Sequence, residues 1–378
     1  MQGYEDQGNV AVAKRPRSSN LELYRIVCML LIVAHHFVVN SGVASNTGGP
    51  VMSEPLSANS IFLTLFGAWG KTGINCFLMI TGYFMCTSEI TLRKFLKLLV
   101  QIYLYKLIIF PIFVLAGYET LSPVRLIRLA MPLWGLKDDF VGCFLVFFLT
   151  IPFWNMLNQQ MTKRQHQLLL ALLLGSYMLL GSIPSFNVSF NYVTWFGIIY
   201  LVASYIRLYP SPVFDRRSLW GWLTLVSVLL AAGSVVFIHF FLAVHGKATL
   251  GHQMLNDSNR IFAVAVAVSS FLWFKNMKMK YSKVINSIGA ATFGVLLIHA
   301  NSDAMRQWLW KDTVDVIGHY PLPLGQLVLF SFGVVLAIFI VCNLIDQLRI
   351  ATLEKWFFRW YDNKVSAKAD AVVKRIIT

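Results

Sequence analysis

Charge is scarce in this chain. Only 13% of its 378 residues are Asp, Glu, Lys or Arg, where a soluble domain carries about 25%. Hydrophobic residues make up 57%, which excludes a water-soluble globule, a disordered chain and a collagen. Carboxylates are scarcer than bases, 17 against 32, for a net charge of +15. In so apolar a chain that excess points to the cytoplasmic loops of a membrane protein, not to a nucleic-acid surface. Cysteines number five. Cys28, Cys76, Cys86, Cys143 and Cys342 all lie in apolar stretches, without CxxC or metal-ligand spacing, so they read as buried hydrophobes. HExxH and Gly-x-Ser-x-Gly are both missing, which disfavours a membrane protease or a serine esterase. There is no internal repeat, and no cleavable signal peptide is expected.

Long apolar runs are plentiful. A membrane helix needs about 20 mostly apolar residues. Ten stretches qualify as candidates: 21–40, 64–86, 95–117, 140–158, 167–183, 192–208, 219–243, 259–275, 287–310 and 322–347. The expected fold is therefore all-α and polytopic, with ten transmembrane helices. Residues 1–19 form a disordered cytoplasmic N-terminus, 20–347 the membrane domain and 348–378 a basic cytoplasmic tail. With the N-terminus inside, 23 of the 32 basic residues fall on inner segments. The positive-inside rule then predicts both N-terminus and C-terminus in the cytoplasm, in a multi-pass plasma (inner) membrane protein. The second candidate carries Gly67, Gly70, Lys71, Gly73 and Asn75 and is expected to be broken or re-entrant.

Ionisable residues inside such runs are functional candidates by default. The first span holds Glu22, Arg25, His35, His36 and Asn40. At about 100° per residue, eleven steps bring a helix back to within about 20°, so Arg25 and His36 share a face. The rise of about 1.5 Å per residue sets His36 roughly 16 Å above Arg25, near mid-membrane. His35 points about 100° away and is expected to pack against a neighbour. A neutral imidazole at that depth suits general-base chemistry.

The first span resembles the Arg-x10-His signature of the acyltransferase-3 family of integral membrane O-acyltransferases, carried by Arg25 and His36. Gly73-Ile-Asn-Cys-Phe-Leu-Met-Ile-Thr81-Gly82-Tyr83 resembles that family's Ser-Gly-Tyr stretch, with Thr81 for Ser. Lys94 and Lys97 stand where many members have Arg-x-x-Arg, which keeps the charge but loses bidentate geometry. Thr292 to Asn301 resembles the Gly-x-Tyr-Leu-Ile-His segment, with Leu296 for Tyr and His299 as the histidine.

The resemblance implies transfer of an acetyl or other acyl group from cytoplasmic acyl-CoA (acetyl-CoA) to a hydroxyl of an extracytoplasmic glycan or lipid-linked sugar. It implies no tightly bound cofactor and no metal, with acyl-CoA, the glycan acceptor and membrane lipids as partners and no nucleic acid. His36 is then the catalytic candidate, as base or as acylated nucleophile. Arg25, Arg93, Lys94 and Lys97 are candidates for the CoA phosphates. His299, Asp303 and Arg306, spaced i, i+4 and i+7, are expected on one face at the acceptor entrance, or as a local ion pair with a capping histidine. The glycines either admit the pantetheine arm or let helices pack closely. The loop Pro132–Asp139, with Trp134, is either a sugar-binding surface or an interfacial anchor. The competing class is a transporter or flippase, which predicts an internal repeat that this sequence lacks.

Overall fold

Uninterrupted runs of Leu, Ile, Val and Phe fold as helices in lipid, because a helix satisfies its own backbone N–H and C=O groups. The structure, a computed structural model, describes residues 18–45, 47–131, 140–186, 188–246 and 254–365, and no strand occurs among them. The helices begin with α1 (Ser19–Val39), α2 (Ala58–Gly67), α3 (Gly70–Met85), α4 (Leu92–Leu115) and α5 (Phe140–Gln160). Next come α6 (Lys163–Leu173), α7 (Tyr192–Leu208), α8 (Arg217–Val244) and α9 (Ile261–Lys275). The last are α10 (Lys283–Ala290), α11 (Thr292–His299), α12 (Leu324–Arg349) and α13 (Lys355–Lys364).

Every expected span falls on helix, but they are unequal. Among the described residues six helical units are long and apolar enough to cross a membrane: α1, Ala58–Met85, α4, α5, α8 and Leu324–Lys364. The expected ninth span is not straight. Lys283–His299 and Asp303–His319 meet at a 93° bend and together make a seventh candidate. Helices α7 and α9 are shorter, and α6 runs through a π-helical stretch, Leu174–Leu179, to Ser182.

Helix α1 stands at the centre, packed against α2, α3, α9, α10, α11 and α12. Half of its apolar window is buried, whereas only 17% of α8's is, so α8 is peripheral. Since lipid is as apolar as Leu, close packing holds such helices together. Gly67 and Gly73 allow it: a Cβ would stand 2.7 Å from Cβ of Val38 and 2.9 Å from Cγ1 of Ile32. At Gly70 it would overlap the His35 ring. These glycines therefore allow close helix packing.

Polar contacts gather at the two ends. At one end Asn20 donates to the carbonyls of Phe274 and Lys275, Lys275 pairs with Asp215, and Ser19 Oγ accepts from the Ser282 amide. At the other, Ser57 and Ser60 bond the Tyr320 hydroxyl and Asn59 donates to the carbonyls of Tyr320 and Leu322. Helix continues from α12 through Ile350–Glu354 into α13, across the position at which the basic tail is expected to start. The expectations for residues 1–17 and for the loop Pro132–Asp139 lie outside the described residues.

Candidate active site

His36 stands in the last turn of α1, three residues before its end. Its Nδ1 lies 2.8 Å from Nε2 of His299, the last residue of α11. His299 Nδ1 lies 2.6 Å from the Val295 carbonyl. A carbonyl can only accept, so His299 carries its proton on Nδ1 and, when neutral, accepts at Nε2. His36 must then donate from Nδ1, which leaves its Nε2 as a lone pair. That nitrogen has no hydrogen bond among the described residues.

The pair borders a cavity of about 500 Å³. Its wall includes Ile32, His35 and His36 from α1, Gly70, Lys71 and Ile74 from α3, and Ile102 and Lys106 from α4. Phe140, Tyr192, Leu296, Asn301 and Arg306 help to close it. Lys71 donates to the Tyr192 hydroxyl and lies over that ring, 5.1 Å from its centroid. Among the described lining residues there is no carboxylate. Nor, among the described residues, do three His, Cys, Asp or Glu side chains cluster closely enough to hold a metal ion.

The sequence-derived candidates separate into two groups. His36, His299 and Arg306 converge on or beside the cavity. His35 borders it too; as expected it packs against neighbouring helices, its Nδ1 donating to the Gly67 carbonyl at 2.6 Å and its ring lying on Gly70. Asp303 does not join His299 on one face. The bend between them breaks the i, i+4 relation, and the Asp303 side chain is 86% exposed and paired with Arg306 at 2.8 Å. A Ser302 cap, accepting from the Met305 amide, starts the second arm.

The basic candidates lie elsewhere. Arg25 pairs with Glu22 at 2.7 Å and does not line the cavity. Arg93 is bidentate to Asp362 at 2.9 and 3.0 Å. Lys97 pairs with Glu354 at 2.5 Å, and Lys94 donates to Ser88 Oγ and the Glu89 carbonyl, both at 2.6 Å. Sequence reasoning did not select Lys106 or Tyr192 and noted Lys71 only as a break in a span. The signal for the lysines was an ionisable residue inside an apolar run.

A family model described as an acyltransferase domain, acyltransferase-3, matches residues 18–344, nearly the whole chain. No curated protein and no solved structure matches.

Proposed function

The chain belongs to the acyltransferase-3 family, and from that premise we propose that it is a membrane O-acyltransferase acting through His36. The donor is acyl-CoA, in the simplest case acetyl-CoA, and the acceptor is a hydroxyl of an extracytoplasmic glycan or lipid-linked sugar. The observation that carries this reading is the His36–His299 pair opening onto a cavity at one end of α1. His36 Nε2 removes the proton from the acceptor hydroxyl, whose oxygen attacks the thioester carbonyl. The tetrahedral adduct collapses, the C–S bond breaks, and the CoA thiolate takes that proton from His36 Nε2. His299 Nε2 accepts from His36 Nδ1 throughout and so stabilises the imidazolium that forms, as a partner carboxylate does in a serine-protease triad.

Arg25, Arg93, Lys94 and Lys97 are assigned to the CoA phosphates at the far end of α4. Arg93 and Lys97 are 47% and 44% exposed, and their ion pairs belong to a class worth about 0–1 kcal/mol. Such pairs can exchange a carboxylate for a phosphate. The membrane is the plasma (inner) membrane, crossed ten times with both termini in the cytoplasm.

The test uses the full chain in lipid nanodiscs with acyl-CoA and isolated surface glycan, and ester formation is read by mass spectrometry. Acyl transfer is expected from the native protein. His36→Ala is expected to lower it by about 10²–10⁴ while acyl-CoA binding is retained. Full turnover in that variant would remove His36 from the mechanism.

A further inference from the structure

The wall of the cavity beside His36 is cationic. Its ionisable side chains are His35, His36, Lys71, Lys106, Tyr192 and Arg306, with no carboxylate among the described lining residues. Lys106 makes no hydrogen bond or ion pair among the described residues, and the partner of Arg306 is the exposed Asp303. A second hollow, of about 130 Å³, shares Lys106 and Asn301 with the first and adds Arg125, Arg128 and Glu119. Glu119, 3.5 Å from Arg125, is the one carboxylate among the described residues that line it. The short helix Pro123–Ala130 carries both arginines and leaves Val124, Leu126 and Ile127 exposed. That division suits a helix lying in the headgroup layer, apolar residues toward lipid and arginines toward the hollow.

Lysine and arginine only donate hydrogen bonds. His36 Nε2 takes the proton of the reacting hydroxyl, but Lys71, Lys106 and Arg306 offer a neutral sugar no acceptor for its other hydroxyl protons. An anion only accepts, and a cationic hollow with apolar walls concentrates it. Resting on the acyltransferase reading above, we propose that the joined hollows are the acceptor site and that they select an acceptor bearing an anionic group, a phosphate or a carboxylate. The donor's phosphates belong at the opposite end of α4: Lys94 precedes Lys106 by twelve residues, about 18 Å along the helix. Lys106, where the two hollows meet, is the principal anion contact, with Arg125 and Arg128 lining the approach.

The experiment is binding to purified full-length protein in nanodiscs of neutral lipid. The probes are a polyprenyl diphosphate sugar, a glucuronate-containing trisaccharide, maltotriose and acyl-CoA. One anionic probe is expected to bind at least tenfold more tightly than maltotriose, and the one that does identifies the source of the charge. Lys106→Gln is expected to weaken that probe about tenfold, the loss of one charge-assisted hydrogen bond. Lys106→Arg is expected to restore it, and acyl-CoA affinity stays constant in both, which also reports the fold. Equal binding of maltotriose overturns the proposal, as does a loss in Lys106→Gln that falls on acyl-CoA instead. Anionic binding without any acyl transfer would uphold the site and end the acyltransferase reading.

Discussion

Two adjacent histidines border the same cavity, and their Nδ1 partners distinguish them. His35 donates to a carbonyl, which cannot take up a proton, whereas His36 donates to an imidazole, which can. His36 is therefore joined to a second group able to share the charge that develops during proton transfer. His35→Ala is expected to lose far less turnover than His36→Ala at matched membrane abundance, measured side by side on the same acceptor. His299→Ala leaves the His36 Nδ1 proton without its acceptor. A fall of about tenfold in kcat with unchanged KM for acyl-CoA is expected, the scale of one hydrogen bond. A rise in that KM instead would make His299 a donor-binding group. Much of this site was legible residue by residue. Ionisable residues inside apolar runs drew attention to His35, His36 and His299, but the register that set His36 beside Arg25 and apart from His35 does not describe the cavity, which both histidines border and Arg25 does not. The contact of His36 with His299 was not legible, because 263 positions separate them and no periodicity spans that distance. The cationic wall was hidden for the same reason: Lys71, Lys106 and Arg306 come from separate elements that meet only in the packed bundle.

At the scale of elements, helix existence followed from apolar runs, whereas breaks did not. The stretch 287–310 reads as one span, yet it turns by 93° where His299 closes one arm and Ser302 caps the next. The cap is a local signal, but within an apolar stretch length outweighed it. The final helix hides a further device. Asp346, fully buried, accepts from Tyr105 at 2.7 Å, from Gln101 at 3.2 Å and from Arg349 at 2.6 Å. Arg349 also reaches Glu354 at 2.7 Å, and Glu354 reaches Lys97 at 2.5 Å. The buried members, Gln101, Tyr105, Asp346 and Arg349, tie α4 to α12, and the exposed Lys97 only adds to them at the surface. Removing one member of a buried set costs about 3–5 kcal/mol, because its partner keeps an uncompensated charge. Asp346→Ala should therefore lower the thermal unfolding midpoint in detergent markedly. Asp346→Leu combined with Arg349→Met should recover much of the loss. An unchanged midpoint in Asp346→Ala would show that the network contributes little to stability. Gly294 completes the arrangement, since any Cβ there would overlap the Asp346 carboxylate.

For the whole molecule the open quantity is topology, and the bundle's end contacts bear on it. Asn20, Asp215, Lys275 and Ser282 meet at one end through hydrogen bonds and an ion pair. The starts of α1, α8 and α10 and the end of α9 therefore share a side. That is the side to which the basic loops assign them, with Arg216, Arg217, Lys275, Lys278, Lys280 and Lys283 among the inner charges. Helix α8, of 28 residues, is about 42 Å long and clears a hydrocarbon core of roughly 30 Å. Residues just beyond its two ends must then lie on opposite sides of the membrane. Single cysteines at Lys163, Arg216 and Lys247 test this directly, because the five native cysteines are all buried. With a membrane-impermeant maleimide on intact cells, Lys247→Cys is expected to label. Lys163→Cys and Arg216→Cys are expected to label only after the membrane is opened. If Arg216→Cys labels from outside and Lys247→Cys does not, the bundle is inverted. His36 would then open toward the cytoplasm, acyl-CoA and acceptor would exchange sides, and the basic hollow around Lys106 would become the place for the CoA phosphates.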